Sequence, residues 1–286
     1  MDINEIVIIS GKGGTGKTTL TASLIPYFEE LVVGDCDVDA PDLKILFEGD
    51  NITKEGFVGT KKAIINEEKC IKCGKCYRAC TFGAITKEIK MNTPKCEGCG
   101  VCEYVCPVGA IELKDAVVGN LFVSNTNYGK MVHARLIPGE ETSGKLVSAV
   151  RKRAKKIALE ENKKNIIIDG APGVACNVIS SITGAKKVVI VTEPTFSGLH
   201  DLERVYEVTQ KFRLPVLVVI NKYDLSIEMS NKIEEFCKEK NIELGLKIPF
   251  NKKMVKAIVD KKIPSLAEKE FFDSFGFGEF IEKLKK

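Results

Sequence analysis

The chain has 286 residues, 44% of them hydrophobic, which allows one or two domains with real cores. No window holds the run of about eighteen apolar residues that a transmembrane helix needs, and the acidic start of MDINEIVIIS does not fit a secretory signal, so a cytoplasmic protein is expected. A net charge of +4, from 43 basic and 39 acidic residues, argues for neither nucleic acid nor stable membrane association.

Residues 3–10, INEIVIIS, are a β-branched run ending at a Gly-rich turn and predict a buried strand. From Lys17 to Glu30, apolar residues at Leu20, Leu24, Ile25 and Phe28 predict a helix. Leu31 to Gly34 reads as a second strand, delivering Asp35. From Lys61 to Asp115 the rhythm breaks, with little periodicity of either kind. It resumes with a helix from Ser143 to Glu160, whose Val147, Val150, Ala154 and Ile157 share one face and leave the basic run 151–156 to solvent. Strands follow at Ile166–Ile168, Val188–Val191 and Val216–Ile220, ending at or near Asp169, Glu193 and Asn221. Helical patterns at Leu199–Phe212, Ile227–Lys240 and Met254–Asp260 alternate with them. The amphipathic end FGEFIEKLKK is expected to pack on the sheet. Such alternation predicts an α/β fold with a doubly wound, mostly parallel sheet, which collects ligands at the carboxyl ends of its strands.

The run Gly11-Lys12-Gly13-Gly14-Thr15-Gly16-Lys17-Thr18-Thr19 satisfies the phosphate-loop pattern and sits where it must, after a strand and opening a helix. Its glycines let backbone N–H groups curl round phosphates, Lys17 reaches the β/γ oxygens and Thr18 offers a hydroxyl to Mg²⁺. Taken alone, Lys12 reads as a solvated loop lysine.

Eight of the eleven cysteines lie within residues 70–106. Cys70, Cys73, Cys76, Cys80 and Cys96, Cys99, Cys102, Cys106 each read C-x2-C-x2-C-x3-C, the run that wraps a 4Fe–4S cluster in bacterial ferredoxins. Each copy is followed by an Ala-Ile pair, Ala84-Ile85 and Ala110-Ile111, which marks an internal repeat. The fourth cysteine of such a run ligates the other cluster. Cluster one is therefore expected to use Cys70, Cys73, Cys76 and Cys106, and cluster two Cys80, Cys96, Cys99 and Cys102. Zinc sites use isolated x2 pairs, usually with histidine, and neither His133 nor His200 lies in this segment. Lys69, Lys72, Lys75 and Arg78 either compensate cluster charge or form a docking face for an acidic redox partner. The expected organisation is a nucleotide domain of residues 1–60 and 117–286, with an α+β ferredoxin-like insert at 61–116.

The early lysine in KGGTGKT resembles the signature of the MinD/ParA/Mrp and nitrogenase-iron-protein class of P-loop ATPases. Asp35-Cys36-Asp37 resembles that class's first switch, Asp169 to Gly173 its second, and Asn221-Lys222-Tyr223-Asp224 with Pro249-Phe250-Asn251 its base-binding segments. Residues 139–155 and 191–205 resemble a narrower set, MinD-superfamily ATPases carrying an inserted ferredoxin domain. The resemblance implies that Lys12 crosses a nucleotide-dependent homodimer to the partner's γ-phosphate and that Asp37 orients the attacking water. It implies that Asp35 and Asp169 hold Mg²⁺ with Thr18, that Gly173 gives an N–H to the γ-phosphate, and that Asn221, Asp224 and Pro249 frame the base. Asn-Lys-x-Asp also reads guanine in GTPases, but the overall similarity favours ATP. Cys176 stands at the offset from Asp169 of a cluster-bridging cysteine in the nitrogenase iron protein, though a small buried residue is the simpler reading. His133, Arg135, Glu140, Ser143 and Lys145 form a polar group without an assigned role.

Three functions follow. The joining of a switch ATPase to two clusters favours an ATP-gated electron carrier acting on a redox or iron–sulfur acceptor protein. The alternatives are an Mrp-like cluster carrier and a redox-sensing MinD-like positioning ATPase.

Overall fold

The computed structural model describes residues 3–47, 49–140 and 143–286. By contacts the chain divides into two compact units. The larger comprises Met1–Lys54, Leu121–Arg135 and Ser143–Lys286, and the smaller Glu55–Asn120 with Leu136–Thr142.

In the larger unit, β1 (Asn4–Ser10) is followed by α1 (Lys17–Leu24) and β2 (Leu31–Asp35). The helix expected through Glu30 ends at Leu24 and continues as a 3₁₀ turn, Ile25–Tyr27, because Pro26 lacks the N–H an α-helix needs. Two long strands, β3 (Asn51–Ile65) and β4 (Ile111–Thr126), each run from one unit into the other. The smaller unit holds two short helices, α2 (Lys75–Ala79) and α3 (Val101–Tyr104). Then come β5 (Gly129–Leu136), α4 (Ser143–Glu160), β6 (Asn165–Pro172), α5 (Cys176–Ile182), β7 (Lys187–Thr192), α6 (Phe196–Lys211), β8 (Val216–Asn221), α7 (Ile227–Glu239) and β9 (Glu243–Ile248). Four helices close the chain: α8 (Lys252–Val259), α9 (Pro264–Ala267), α10 (Lys269–Asp273) and α11 (Phe277–Lys285).

The strand order is β3-β4-β5-β2-β6-β1-β7-β8-β9. β5-β2-β6-β1-β7-β8-β9 pair in parallel. Only two residues join β4 to β5, as in an antiparallel hairpin, so the sheet is mixed. The alternation read from the sequence holds for five strands and missed β3, β4, β5 and β9. β1 and β6 are central, and Ile6, Val7, Ile8 and Ile9 are fully buried, as expected of a parallel strand covered on both faces.

Helix α4 buries Val147, Val150, Ala154 and Ile157 as its periodicity predicts. The basic run on its other side is not wholly solvated: Arg151 pairs with the buried Glu5 and caps the carbonyls of Ser180 and Thr183. Helix α11 buries Phe277, Phe280, Ile281 and Leu284 in the same core as Ile6 and Ile8, so its apolar face is covered. No described helix is long and apolar enough to cross a membrane.

Candidate functional site

The loop between β1 and α1 is set by glycines. Gly14 and Gly16 have φ of +80° and +90°, where a Cβ is strained. A Cβ on Gly16 would also stand 2.3 Å from Nδ2 of Asn221, which donates to the Thr15 carbonyl at 2.7 Å. The first-turn N–H groups of α1 have no carbonyl within their own helix to bond and face this loop. Thr15 Oγ1 is buried without a hydrogen-bond partner.

Register brings the acidic residues to one edge: Asp35 on β2 lies beside Asp169 on β6 and, on its other side, His133 on β5. Lys17 Nζ pairs with Asp169 Oδ1 at 2.9 Å. Thr18 Oγ1 donates to Asp169 Oδ2 at 2.7 Å, and Thr21 Oγ1 to Oδ1 at 2.8 Å. Thr21, buried in α1, was not foreseen; its position one helical turn after Lys17 was the available signal. Asp35 accepts the N–H groups of Asp37 and Leu43, at 3.1 and 3.2 Å, and so anchors the segment after β2.

Burial would lower the Lys17 pKa, but the charge and hydrogen bond of Asp169, with Asp35 and Asp37, outweigh it and hold it above the ordinary value. Burial, then the charge of Asp169, pushes the Asp35 carboxyl well above the carboxylate range. Burial also raises Asp37, which Lys17 partly opposes.

The remaining loop residues have internal partners. Lys12 Nζ donates to Ser197 Oγ at 3.0 Å and Thr195 Oγ1 at 3.4 Å, and lies 3.8 Å from Glu193, which Lys222 also binds. The Gly173 N–H donates to the Ser10 carbonyl at 2.8 Å, with Gly173 at φ +96°. Asp224 Oδ1 accepts the Phe250 N–H at 2.7 Å. Gly14, Gly16, Thr19, Asn221, Lys222, Pro249, Phe250, Met254 and Val255 are among the residues lining a cavity of about 220 Å³ beside the loop. Gly11 approaches Asp201 so closely that a Cβ would lie 2.5 Å from its side chain.

In the smaller unit the eight cysteines are free thiols. Cys70, Cys73, Cys76 and Cys106 line one small cavity. Cys80, Cys96, Cys99 and Cys102 line another. Among the described residues no group of three His, Cys, Asp or Glu is arranged to hold a single metal ion. Backbone N–H groups point at sulfur: Ala63 to Cys96 and Ala84 to Cys80, both at 3.4 Å, and Ala110 to Cys106 at 3.2 Å. Burial raises the thiol pKa of Cys76 and Cys102. Cys73 and Cys99 are exposed.

His133 stacks on Phe122, with ring centroids 5.0 Å apart, and Glu140 pairs with Lys62. Arg135 is exposed, Ser143 opens α4, and Glu141 and Thr142 lie outside the described residues. Cys176, expected to be a small buried residue, is exposed, because it opens α5 at the sheet edge rather than in its body. Cys36 and Cys237 are buried.

A Gly-rich strand–loop–helix with a buried lysine, and aspartates delivered beside it by neighbouring parallel strands, defines the P-loop nucleotide-binding class. The model of the CobQ/CobB/MinD/ParA nucleotide-binding domain matches residues 6–264, and the chain belongs to that family. It is 34% identical over 291 residues to the uncharacterized protein MJ0578 of Methanocaldococcus jannaschii, covering 99% of this chain and 97% of that protein. It is 30% identical over 258 residues to MJ0579 of the same organism, covering 87% of each. Among solved structures, the septum site-determining protein MinD of Pyrococcus horikoshii, complexed with Mg-ADP, superposes with a TM-score of 0.58 at 19% identity, over 98% of this chain and 93% of that one. The cell division ATPase MinD of Pyrococcus furiosus gives 0.57 at 17%, over 99% and 98%. At these identities the likeness shows the fold.

Proposed function

We propose that this protein is an ATP-hydrolysing iron–sulfur protein in which nucleotide-driven dimer switching governs electron transfer through two 4Fe–4S clusters to an acceptor protein. The observation that carries the reading is the sorting of eight thiols into two cavities, four to each, in a chain that also holds a complete phosphate loop.

The donor set fits the clusters. The core of the smaller unit packs Ala63, Ala84, Ile85, Ile89 and Ile111 with Cys76, Cys96 and Cys102, and Ile65, Tyr77, Met91 and Leu113 lie partly buried against it. A core this small gains from a metal staple. The thiols are free, N–H groups already point at three sulfurs, and a polynuclear group spreads its four thiolates more widely than a single ion does. Bound there, the clusters would supply one-electron chemistry; the protein would supply the ligands and the N–H donors.

In the larger unit the residues suited to ATP rest on internal partners. Lys17 and Thr18 are held by Asp169, Lys12 by Ser197 and Thr195, and Gly173 by Ser10. A triphosphate would draw Lys17 off Asp169, free Thr18 with Asp35 and Asp169 for hydrated Mg²⁺, and compete for the Gly173 N–H. Asp37 would orient the attacking water, and Lys12 would swing to a second copy's γ-phosphate. Each exchange moves a segment after β1, β2 or β6, which gives nucleotide a differential hold on two states. The Mg-ADP bound by the similar MinD structure supports adenine over guanine.

The test is the midpoint potential and re-oxidation rate of the clusters, with and without MgATP, in wild type and Lys17→Ala. The reading expects MgATP to change both in wild type only, and Lys17→Ala to lower hydrolysis by about 100-fold or more with iron content unchanged. Clusters indifferent to nucleotide in wild type would sink the gated-carrier reading and leave the positioning ATPase in its place.

A further inference from the structure

Lys62 belongs to no motif, yet it is the ammonium most specifically placed in the smaller unit. It leaves β3 pointing inward, with only 8% of its side chain exposed. Its Nζ donates to the Cys96 carbonyl at 2.8 Å and pairs with Glu140 Oε2 at 2.9 Å. A buried ammonium needs such partners, since an unpaired one is strongly disfavoured. Here the ammonium end of the pair touches the backbone of a cavity-lining cysteine. The next residue, Ala63, donates its N–H to the same cysteine's sulfur at 3.4 Å. The cavity of Cys80, Cys96, Cys99 and Cys102 thus receives two N–H donors to sulfur, at Cys96 and Cys80, and a neighbouring buried cation. The cavity of Cys70, Cys73, Cys76 and Cys106 receives the Ala110 N–H at Cys106 and is lined by Lys72 and Lys75.

We infer that the Lys62–Glu140 pair sets the reduction potential of the cluster held by Cys80, Cys96, Cys99 and Cys102. The inference rests on the cluster reading above. Reduction adds one negative charge, which N–H donors and a buried ammonium stabilise, while the carboxylate of Glu140 opposes part of that effect. The two members of the pair therefore act with opposite sign on one potential. A pair that served packing alone would not do so.

The experiment is an anaerobic dithionite titration of the full-length, cluster-loaded protein, followed by EPR, in wild type, Lys62→Gln, Lys62→Arg and Glu140→Gln. Iron content and circular dichroism establish loading and folding before each titration. The expected result is two one-electron steps in wild type. Lys62→Gln moves one step to lower potential, Glu140→Gln moves the same step to higher potential, and Lys62→Arg leaves it near wild type. The other step stays in place throughout. Should Lys62→Gln fail to load, the upward shift in Glu140→Gln and the retention in Lys62→Arg decide the matter. Shifts of the same sign in the two neutral variants, equal shifts of both steps, or no shift in Glu140→Gln overturns the inference while leaving the clusters in place. A wild-type protein that binds no iron overturns the cluster reading itself, and this inference with it.

Discussion

Asp169 accepts from Lys17, Thr18 and Thr21 at once, so three side chains from the start of one helix converge on a single carboxylate. The spacing G-x4-G-K-T announced Lys17 and Thr18, because a phosphate loop is local in sequence. Thr21 and the Lys12–Glu193–Lys222 contact were not legible, because they join residues far apart in the chain. His133 offers a test at the same scale. Burial, with some help from Lys44, lowers its pKa to about 4, and its Nδ1 is buried without a partner. An unfolded histidine titrates near about 6.5. Between these values the unfolded chain binds the extra proton, so folding stability is full above the upper value, falls as pH drops through the window and levels off below about 4. The slope is at most about 1.4 kcal/mol per pH unit. His133→Leu is predicted to flatten this acid slope in denaturant titrations at pH 4.5 and 7.5, with stability at pH 7.5 equal or higher; an unchanged slope would place the titrating group elsewhere.

Among the elements, β1, β2, β6, β7 and β8 were readable because strands buried on both faces are unbroken β-branched runs. β9, ELGLKI, escaped notice because its burial alternates and Gly245 interrupts it. β3 and β4 carry exposed polar residues along much of their length and lack the apolar run that marks a buried strand. Residue Gly16, where α1 begins, carries the element-scale prediction. A side chain there meets both a left-handed φ and the Asn221 amide, so Gly16→Ala must displace Asn221 from the Thr15 carbonyl. Left-handed backbone alone costs an alanine about 1–2 kcal/mol. With the lost contact, ATP affinity is expected to fall by roughly tenfold or more. Calorimetry checks this, and wild-type affinity in Gly16→Ala would contradict the assigned loop geometry.

For the whole molecule, the sequence showed that the cysteines break the α/β rhythm, and the contact pattern divides the chain into two compact units. The spacing does not reveal that the smaller unit gathers a second segment, beginning at Leu136, because that return depends on how β4 and β5 pair. With cysteines built into its small core, the smaller unit should depend on metal. Anaerobic removal of iron is expected to raise hydrogen exchange throughout residues 55–120 while leaving ATP binding and the protection of β1, β6 and β7 intact. Equal loosening of both units would show that they are not separable. The central claim is that the eight thiolates hold two iron–sulfur clusters in the chain that carries the phosphate loop. An iron and sulfide determination with EPR on anaerobically prepared protein is therefore the most direct measurement. Two 4Fe–4S clusters predict about eight iron and eight sulfide per chain and two reducible signals. A protein with zinc or no metal in those cavities would contradict it.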